Sequence, residues 1–201
     1  MRIYLIRHGK TEGNALNRYI GSTDSPLCAE GIEKTRLAGG SAELKSVIVT
    51  PLIRTQQTAR ILFPNAEQRI CYGLREIDFG DFENRSATDM EHDEAYRKWV
   101  DSGCVDACPN GEGIDGFSDR AVAAFAQEVE RAWADNEKQL VFVTHGGVIM
   151  ALMSRLGRPK IGGFYDWYLP NCASVAADVK RGDKNEPVYL DGIEIKEHVE
   201  L

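Results

Sequence analysis

Three basic positions, far apart along the chain, carry the residues of this sequence that are best suited to chemistry. The motif RHG occupies residues 7–9, Arg54 stands alone, and the motif THGG occupies residues 144–147. The planar fork of arginine matches the oxygens of a phosphate group, and a neutral imidazole can attack phosphorus. Two arginines and two histidines in one place would repel one another unless an anion lay between them. If the fold brings these groups together, the pattern indicates a phosphate site.

Each of these positions follows a short segment that favours a β-strand. We predict strands at Arg2 to Ile6, Ser46 to Val49 and Leu140 to Val143. Apolar residues on both faces of the third segment indicate a sheet that is covered on both sides. In such sheets ligands bind beyond the carboxyl ends of the strands, where loops and helix N-termini converge. We therefore expect the two arginines and two histidines to meet at one edge of the sheet.

Helical segments follow the three strands. We predict them at residues 30–44, at Pro51 to Phe63 with Thr50 as the N-cap, and at Val148 to Leu156. Further helices are predicted at residues 86–101 and 114–135. β-Favouring runs at Ser174 to Val179 and Pro187 to Leu190 could add antiparallel strands at the sheet edge. The predicted fold is α/β, a three-layer α/β/α sandwich with a mostly parallel central sheet.

The composition is that of an ordinary folded domain. Of 201 residues, 43% are hydrophobic and 27% are charged, with no repeat and no long linker, so we expect residues 1–201 to form a single domain. The net charge of −7 has the wrong sign for a protein that binds DNA or anionic lipid through its overall field, so we expect no nucleic-acid partner. Residues 1–70, in contrast, carry 10 basic and 6 acidic side chains, which suits an anionic ligand there.

The apolar segments and the cysteines argue against a membrane span, secretion and a bound metal. The longest largely apolar segment, Leu140 to Met153, contains a histidine and two glycines and falls short of the ~18 residues that a span requires. We see no secretory cleavage site, and the cysteines are odd in number, so we expect reduced thiols and a cytoplasmic location. Cys104 and Cys108 have no second pair at zinc-finger spacing, and we expect no metal there.

Four segments resemble conserved blocks of the histidine phosphatase superfamily, also called the phosphoglycerate mutase-like family. They are IYLIRHGKTEGN at residues 3–14, TPLIRTQQTA at 50–59, LREIDFG at 74–80 and VTHGGVIMAL at 143–152. The blocks occur in the family's order across nearly the whole chain, so the resemblance is far more specific than the RHG motif alone. It implies a phosphoglycerate mutase-like fold and an enzyme that needs no metal and no cofactor.

The resemblance also implies roles for individual residues. His8 would be the nucleophile that becomes phosphorylated, and Glu76 would donate a proton to the leaving oxygen. The phosphoryl oxygens would be held by Arg7, Arg54 and His145. Phosphate or substrate contacts are implied for Thr11, Asn14, Ile20, Gly21 and Gly146. Acidic residues are frequent between residues 71 and 115, so the resemblance, and not spacing, distinguishes Glu76 from its neighbours Asp78 and Glu83.

Segments outside the four blocks resemble the α-ribazole phosphatase branch of the family. They are FGDFENR at residues 79–85, YRKWVDS at 96–102 and PNGEGIDGFSDR at 109–120. The chain is also more compact than the cofactor-dependent mutases, which favours a phosphatase. Its partner would be a small-molecule phosphate monoester, its state a monomer or homodimer, and residues 81–115 would form an insertion that caps the substrate.

Three alternatives stay open at this point. A broad-specificity phosphatase shares much of the pattern, and so does a phosphoglycerate mutase-like enzyme. A catalytically inactive phosphate-binding relative would have lost the nucleophile or the acid, whereas His8 and Glu76 are both present. Lys10 stands where many members have Glu, and Gly13 where many have Trp. These two departures bear on substrate contacts and not on the reaction itself.

The strand-end residues generate a prediction about a covalent intermediate. No serine, cysteine or aspartate takes an equivalent position among the cations, so His8 is expected to carry the phosphoryl group. Enzyme quenched during turnover should carry phosphate that is labile to acid and stable to base, and the His8→Ala variant should carry none. Label that persists on the His8→Ala variant would contradict the assignment.

Overall fold

The computed structural model describes residues 1–183 and 188–201, and within them six strands form one sheet. The strands are β1 (Arg2–Arg7), β2 (Ser46–Val49), β3 (Glu67–Ile70), β4 (Gln139–Thr144), β5 (Ser174–Arg181) and β6 (Val188–Lys196). Their order across the sheet is β3-β2-β4-β1-β5-β6. Neighbours among the first four are parallel, and β5 is antiparallel to both β1 and β6. The mostly parallel sheet predicted from the sequence is confirmed.

Helices cover both faces of this sheet. Within the described residues they are α1 (Glu12–Ala15), α2 (Ala29–Leu37), α3 (Ile53–Leu62), α4 (Glu94–Asp101), α5 (Ile114–Ala134) and α6 (Gly146–Leu156). Leu5 and Phe142 pack with α5 and α6 on one face, while Ile6 and Val143 pack with α3 on the other. None of these helices has the length and apolar character that crossing a membrane requires. The three-layer α/β/α class is therefore confirmed.

The predicted strands agree with the structure except at the sheet edges. β2 has the predicted bounds, and β1, β4 and β5 extend one or two residues beyond theirs. The strand predicted at Pro187 to Leu190 begins at a residue that lies outside the described ones, and its described part belongs to β6, which continues to Lys196. No pattern predicts β3, because its sequence EQRI is short and polar.

Two helices that follow the strands are shorter than predicted. The helix expected at residues 30–44 ends at Leu37, because Gly39 and Gly40 adopt φ values of +102° and +111° that end a helix. The helix expected from Pro51 begins at Ile53. Thr50 is not its N-cap, because the Thr50 hydroxyl contacts a histidine of the neighbouring strand end. A side chain predicted to cap a helix is thus used in the site described below.

The segment between β3 and α5 forms a hydrophobic cluster of its own. The helix predicted at residues 86–101 is restricted to α4, because the Asp93 side chain accepts two backbone N–H bonds and starts the helix there. The cluster consists of buried residues that are separate from the two faces of the sheet, namely Phe82, Met90, Tyr96, Trp99 and Cys108. Tyr19 and Phe79 pack against it. The cluster thereby places aromatic side chains beside the loop that follows α1.

Candidate active site

The ends of β1, β2 and β4 bring the predicted basic residues together. Arg7 pairs in register with Thr144, so His8 and His145 leave adjacent parallel strands side by side. The centres of their rings are 5.2 Å apart, in an edge-to-face arrangement. Arg54 lies in the first turn of α3, which follows β2, and is fully buried. The structure therefore gathers both arginines and both histidines at one edge of the sheet.

Hydrogen bonds fix the orientation of His8. Its Nδ1 lies 2.7 Å from the carbonyl oxygen of Gly9. Because a carbonyl oxygen can only accept, Nδ1 carries the proton of the neutral ring, and Nε2 keeps a free lone pair. Asn171 donates to the carbonyl oxygen of His8 at 2.9 Å, and the Gly9 N–H donates to Thr58 at 2.9 Å. Nε2 is thus the atom that can act as a nucleophile.

The surroundings of His8 also set its charge. The residue is 4% exposed. Burial, together with the positive charges of Arg54 and Arg7, lowers the pKa of His8 well below its usual range. A neutral imidazole needs no separate base before it attacks phosphorus. The site therefore favours the neutral form of His8, which is the form able to attack phosphorus, at neutral and mildly acidic pH.

Both arginines are held by backbone carbonyl oxygens. Arg54 donates to the carbonyl oxygens of Gly21 and Thr23, each at 2.8 Å. Arg7 donates to the carbonyl oxygen of Leu169. Neither arginine forms an ion pair with a carboxylate of the described residues, whereas other arginines and lysines do, for example Arg155 with Asp115 at 2.6 Å. The two positive charges are therefore left for an anion to neutralise.

His145 is the second buried histidine of the site. Its Nε2 lies 2.9 Å from the Thr50 hydroxyl. When Thr50 donates this hydrogen bond, the ring proton resides on Nδ1, which can then donate to an anionic oxygen. Burial, together with the positive charges of Arg54 and Arg7, lowers the pKa of His145 well below its usual range. The ring is therefore a neutral hydrogen-bond donor and not a third fixed charge.

Unsatisfied nitrogens concentrate at these side chains. Among the described residues, six buried side-chain nitrogen and oxygen atoms lack a hydrogen-bond partner, and three of them are Arg7 Nε, Arg54 Nε and His145 Nδ1. Buried donors without partners are costly, and the oxygens of an anion are suitable acceptors for such donors. No group of three or more histidine, cysteine or acidic side chains in the described part of the chain is arranged to hold a metal ion. The donor set suits a phosphate group.

Glu76 is a buried carboxyl group next to this anion site. Its two oxygens accept the backbone N–H groups of Ile77 and Gly147, both at 3.0 Å. Burial raises the pKa of Glu76, although those two hydrogen bonds and the charges of Arg54 and Arg7 oppose the rise. A side chain at Gly147 would collide with the carboxyl group, because a Cβ there would lie 2.2 Å from Oε1. Glu76 is therefore a fixed carboxyl group that can hold a proton above its ordinary pKa.

Arg120 of α5 fixes the backbone that carries Glu76. Its guanidinium donates to the carbonyl oxygens of Gly73 and Arg75 at 2.9 and 3.1 Å. It also binds both oxygens of Glu112 at 3.0 and 2.6 Å. A guanidinium that bridges α5, the Glu76 segment and the loop of Glu112 restricts the position of the carboxyl group.

The remaining predicted residues divide between the cavity wall and the layer behind it. Asn14, Ile20 and Gly146 line a cavity of about 340 Å³ beside the basic residues. Gly21 supplies a carbonyl oxygen to Arg54. Thr11 is fully buried and does not line the cavity, since it forms a reciprocal capping box with Asn14 at the start of α1. Outside that set, Lys10 points to Glu30 at 2.8 Å and is not among the cavity-lining residues.

The cavity wall is mainly aromatic and aliphatic. Arg7, Glu76, Gly146 and Gly147 line one part of it, whereas His8, Arg54 and His145 lie behind this surface and are not among the described lining residues. The rest includes a set of aromatic side chains, Tyr19, Phe79, Trp99, Phe164, Tyr165 and Tyr168. Besides Arg7, Arg18 is the one cationic side chain among the described lining residues. A ligand with a charged end and a flat, uncharged body would match this wall.

Several residues of the site have no signal in the sequence. Thr50 contacts His145, Asn171 contacts His8 and Arg120 contacts Gly73 across 95, 163 and 47 positions, and local patterns do not predict such contacts. The structure also separates Glu76 from its acidic neighbours. Asp78 accepts hydrogen bonds from Ser22 and Gly80, and Glu83 accepts bonds from the backbone around Gly21. Of the three carboxyl groups, Glu76 is the buried one.

Comparisons with known proteins agree with this geometry. The family model described as histidine phosphatase superfamily (branch 1) matches residues 3–189. An adenosylcobalamin/alpha-ribazole phosphatase from Salmonella typhimurium is 35% identical over 167 residues, which cover 78% of this chain and 79% of that protein. A protein from Citrobacter koseri described as a probable phosphoglycerate mutase is 34% identical over 167 residues, which cover 79% of this chain and 76% of that protein.

A solved structure extends the similarity to the fold. The alpha-ribazole phosphatase from Shigella flexneri superposes with a TM-score of 0.80 at 28% sequence identity, covering 100% of this chain and 99% of that one. The family match spans most of the sequence, and the relatives are covered over most of their length. This chain belongs to branch 1 of the histidine phosphatase superfamily and is a hydrolase of the phosphatase class.

Proposed function

We propose that this chain hydrolyses a ribose 5-phosphate that carries a flat aromatic base, through a phosphohistidine at His8. α-Ribazole 5′-phosphate is such a compound. The observation that carries the proposal is the cavity, in which Arg7, whose buried Nε has no partner, and Glu76 line the same space as a set of aromatic side chains. The names of the relatives from Salmonella typhimurium and Shigella flexneri support the same substrate class.

The first chemical step transfers the phosphoryl group to His8. The Nε2 lone pair attacks phosphorus, a P–N bond forms, and the bond between phosphorus and the ester oxygen breaks. The leaving alkoxide takes the proton of the Glu76 carboxyl group. Arg7, Arg54 and His145 donate to the phosphoryl oxygens, whose charge must be stabilised through the transition state.

The second step returns the enzyme to its starting state. Glu76, now a carboxylate, accepts a proton from a water molecule while the water oxygen attacks phosphorus. The P–N bond breaks, inorganic phosphate forms, and His8 recovers its lone pair. The raised pKa of Glu76 and the lowered pKa of His8 suit the first step together, because that step needs a protonated carboxyl group and a neutral imidazole. An acidic to near-neutral optimum follows.

The cavity wall favours a sugar alcohol that carries an aromatic base, over a sugar acid, as the leaving group. Aromatic rings stack well on flat apolar surfaces, and six aromatic side chains surround the space beyond the phosphate end. The carboxylate of a phosphoglycerate would face this largely apolar wall, where Arg18 is the one lining cation besides Arg7 among the described residues. Residues 81–115 take part, since Trp99 and Cys104 line the cavity. We propose that this segment caps the bound substrate.

A cytoplasmic location belongs to the same proposal. Cys28, Cys71, Cys104, Cys108 and Cys172 are all free thiols. Free thiols are the expected state in a reducing compartment.

The substrate proposal is tested by comparing turnover of phosphate monoesters. We expect kcat/KM for α-ribazole 5′-phosphate to exceed that for ribose 5-phosphate by about 10-fold or more, because burial of an aromatic ring in such a wall contributes roughly 1.5 kcal/mol or more. The reaction with 3-phosphoglycerate should be slower still. Equal rates with all three would indicate a broad-specificity phosphatase, and isomerisation of 3-phosphoglycerate would indicate a mutase. Binding of phosphate without any turnover would indicate an inactive relative.

The role of Glu76 is tested by varying the leaving group. We expect Glu76→Gln to slow phosphorylation by an alkyl phosphate by about 10²- to 10⁴-fold, because a basic alkoxide needs a proton to depart. An aryl phosphate should be affected far less, because a phenolate leaves almost unaided. Single-turnover kinetics measure both rates. Equal slowing of the two substrates would contradict the donor role.

The fixed position of Glu76 leads to a prediction about Gly147. A Cβ in Gly147→Ala would lie 2.2 Å from Glu76 Oε1 and would displace the carboxyl group. We expect a loss of about 10- to 100-fold in the single-turnover rate with an alkyl phosphate, since misplacement by about 1 Å has effects of this size. Gly116→Ala is the matched control, because a Cβ there meets no atom within 4 Å. A Gly147→Ala variant as fast as Gly116→Ala would show that the carboxyl position is not critical.

A further inference from the structure

One carboxylate outside the proposed catalytic set organises the loop of residues 21–23. Glu83 Oε1 accepts the backbone N–H groups of Gly21 and Ser22 at 3.0 and 2.8 Å. Its Oε2 accepts the N–H of Thr23 at 3.2 Å and the Thr23 hydroxyl. The N–H of Phe79 adds a further bond to Oε1 at 3.1 Å. Charge-assisted bonds of this kind are stronger than neutral ones, so the loop is firmly bound to Glu83.

The same loop holds Arg54 from its other side. The carbonyl oxygens of Gly21 and Thr23 accept the two terminal nitrogens of Arg54, each at 2.8 Å. The loop N–H groups thus point to a carboxylate, and its carbonyl groups point to a guanidinium. The Gly21–Ser22 peptide group lies directly between the two charges, because its carbonyl oxygen accepts from Arg54 and its N–H donates to Glu83, so each bond strengthens the other.

The loop has little freedom to take another position. A Cβ at Gly21 would lie 1.8 Å from the carbonyl oxygen of Ile77 and 2.5 Å from Glu83 Oε1, so the backbone passes in close contact with both. Asp24, the next residue along, accepts the N–H of Ile53 at 2.7 Å and attaches the loop to the start of α3. The helix that carries Arg54 and the loop that receives its guanidinium are therefore tied together.

We propose that Glu83 is a positioning residue for Arg54: it holds the 21–23 loop so that the two carbonyl oxygens aim the guanidinium at the phosphoryl group. Glu83 does not touch the substrate in this account, and it takes no proton. The proposal rests on the phosphatase function proposed above. The backbone N–H of Phe79, a residue of the cavity wall, donates to the same carboxylate. Glu83 therefore positions both the aromatic wall and the loop that holds Arg54.

The test begins with Glu83→Gln, which keeps the size of the side chain. One carboxylate oxygen becomes an NH₂ group that must face N–H donors, because both oxygens of Glu83 accept only from donors. We expect kcat/KM to fall about 10- to 100-fold, as for a misplaced phosphate donor. The loss should be equal for aryl and alkyl phosphates, because Arg54 acts on the phosphoryl group and not on the leaving group. Asp81→Asn is the matched control, since Asp81 lies on the same segment and its side chain bonds to Asn110.

A double-mutant cycle shows whether the effect passes through Arg54. Arg54→Lys keeps the charge but lacks the planar fork that two carbonyl oxygens can aim. In the Arg54→Lys background, Glu83→Gln should cost less than about 3-fold, because the geometry that it disturbs is already lost. Dissociation constants for inorganic phosphate should show the same non-additivity. A full 10- to 100-fold loss in that background would overturn the proposal.

A second variant covers the case in which Glu83→Gln fails to fold. Thr23→Val removes the hydroxyl that donates to Glu83 Oε2 and keeps the shape of the side chain. We expect a several-fold fall in kcat/KM with both classes of ester, again absent in the Arg54→Lys background. If Thr23→Val and Glu83→Gln both match Asp81→Asn while the enzyme still forms phosphohistidine, the positioning role is wrong and the proposed phosphatase function stands.

Discussion

Two guanidinium groups are buried at one sheet edge with backbone carbonyl oxygens, and not carboxylates, as their partners. Moving a charge out of water costs several kcal/mol, and a carboxylate partner would offset that cost but would also cancel the field. Carbonyl oxygens accept from terminal nitrogens of Arg7 and Arg54 and leave the charge of both side chains in place. Burial, together with this positive charge, keeps both histidines neutral, and three buried nitrogens are left without a partner. The chemistry of the site follows from this arrangement.

The architecture provides what the arrangement needs. Parallel strands β1 and β4 place two histidines side by side, and β2 delivers α3 with Arg54 to the same edge. Close packing fixes the acid beside them, since Glu76 lies against Gly147 where no side chain would fit. Residues 79–115 add aromatic side chains in front of this edge. The strand ends thus supply the basic residues for a phosphate group, and residues 79–115 supply aromatic side chains. This division suits a substrate with a charged end and an aromatic body.

The sequence predicts the strands and helices better than the long-range polar contacts that hold the site residues in place. Buried strands such as Ser46–Val49 and the long helix α5 have strong apolar patterns, and the four family-like blocks identify His8 and its partners. The start of α3 is predicted wrongly, because the Thr50 hydroxyl, which is predicted to cap the helix, instead forms a hydrogen bond with His145, 95 positions away. The contacts of Glu83 to Gly21 span 62 positions, and those of Asn171 to His8 span 163. Interactions between such distant, individually ordinary polar residues leave no local periodicity, so they become visible once the fold is known.

The central claim is that burial, together with the positive charges of Arg54 and Arg7, keeps His8 neutral, and that the carbonyl oxygen of Gly9 holds its proton on Nδ1. ¹⁵N NMR of the imidazole nitrogens, assigned by comparison with a His8→Gln variant, tests this claim most directly. At about pH 6, below the ordinary histidine pKa of ~6.5, we expect His8 to show a protonated Nδ1 and an unprotonated Nε2. A doubly protonated ring at that pH, or a neutral ring with its proton on Nε2, would contradict the account.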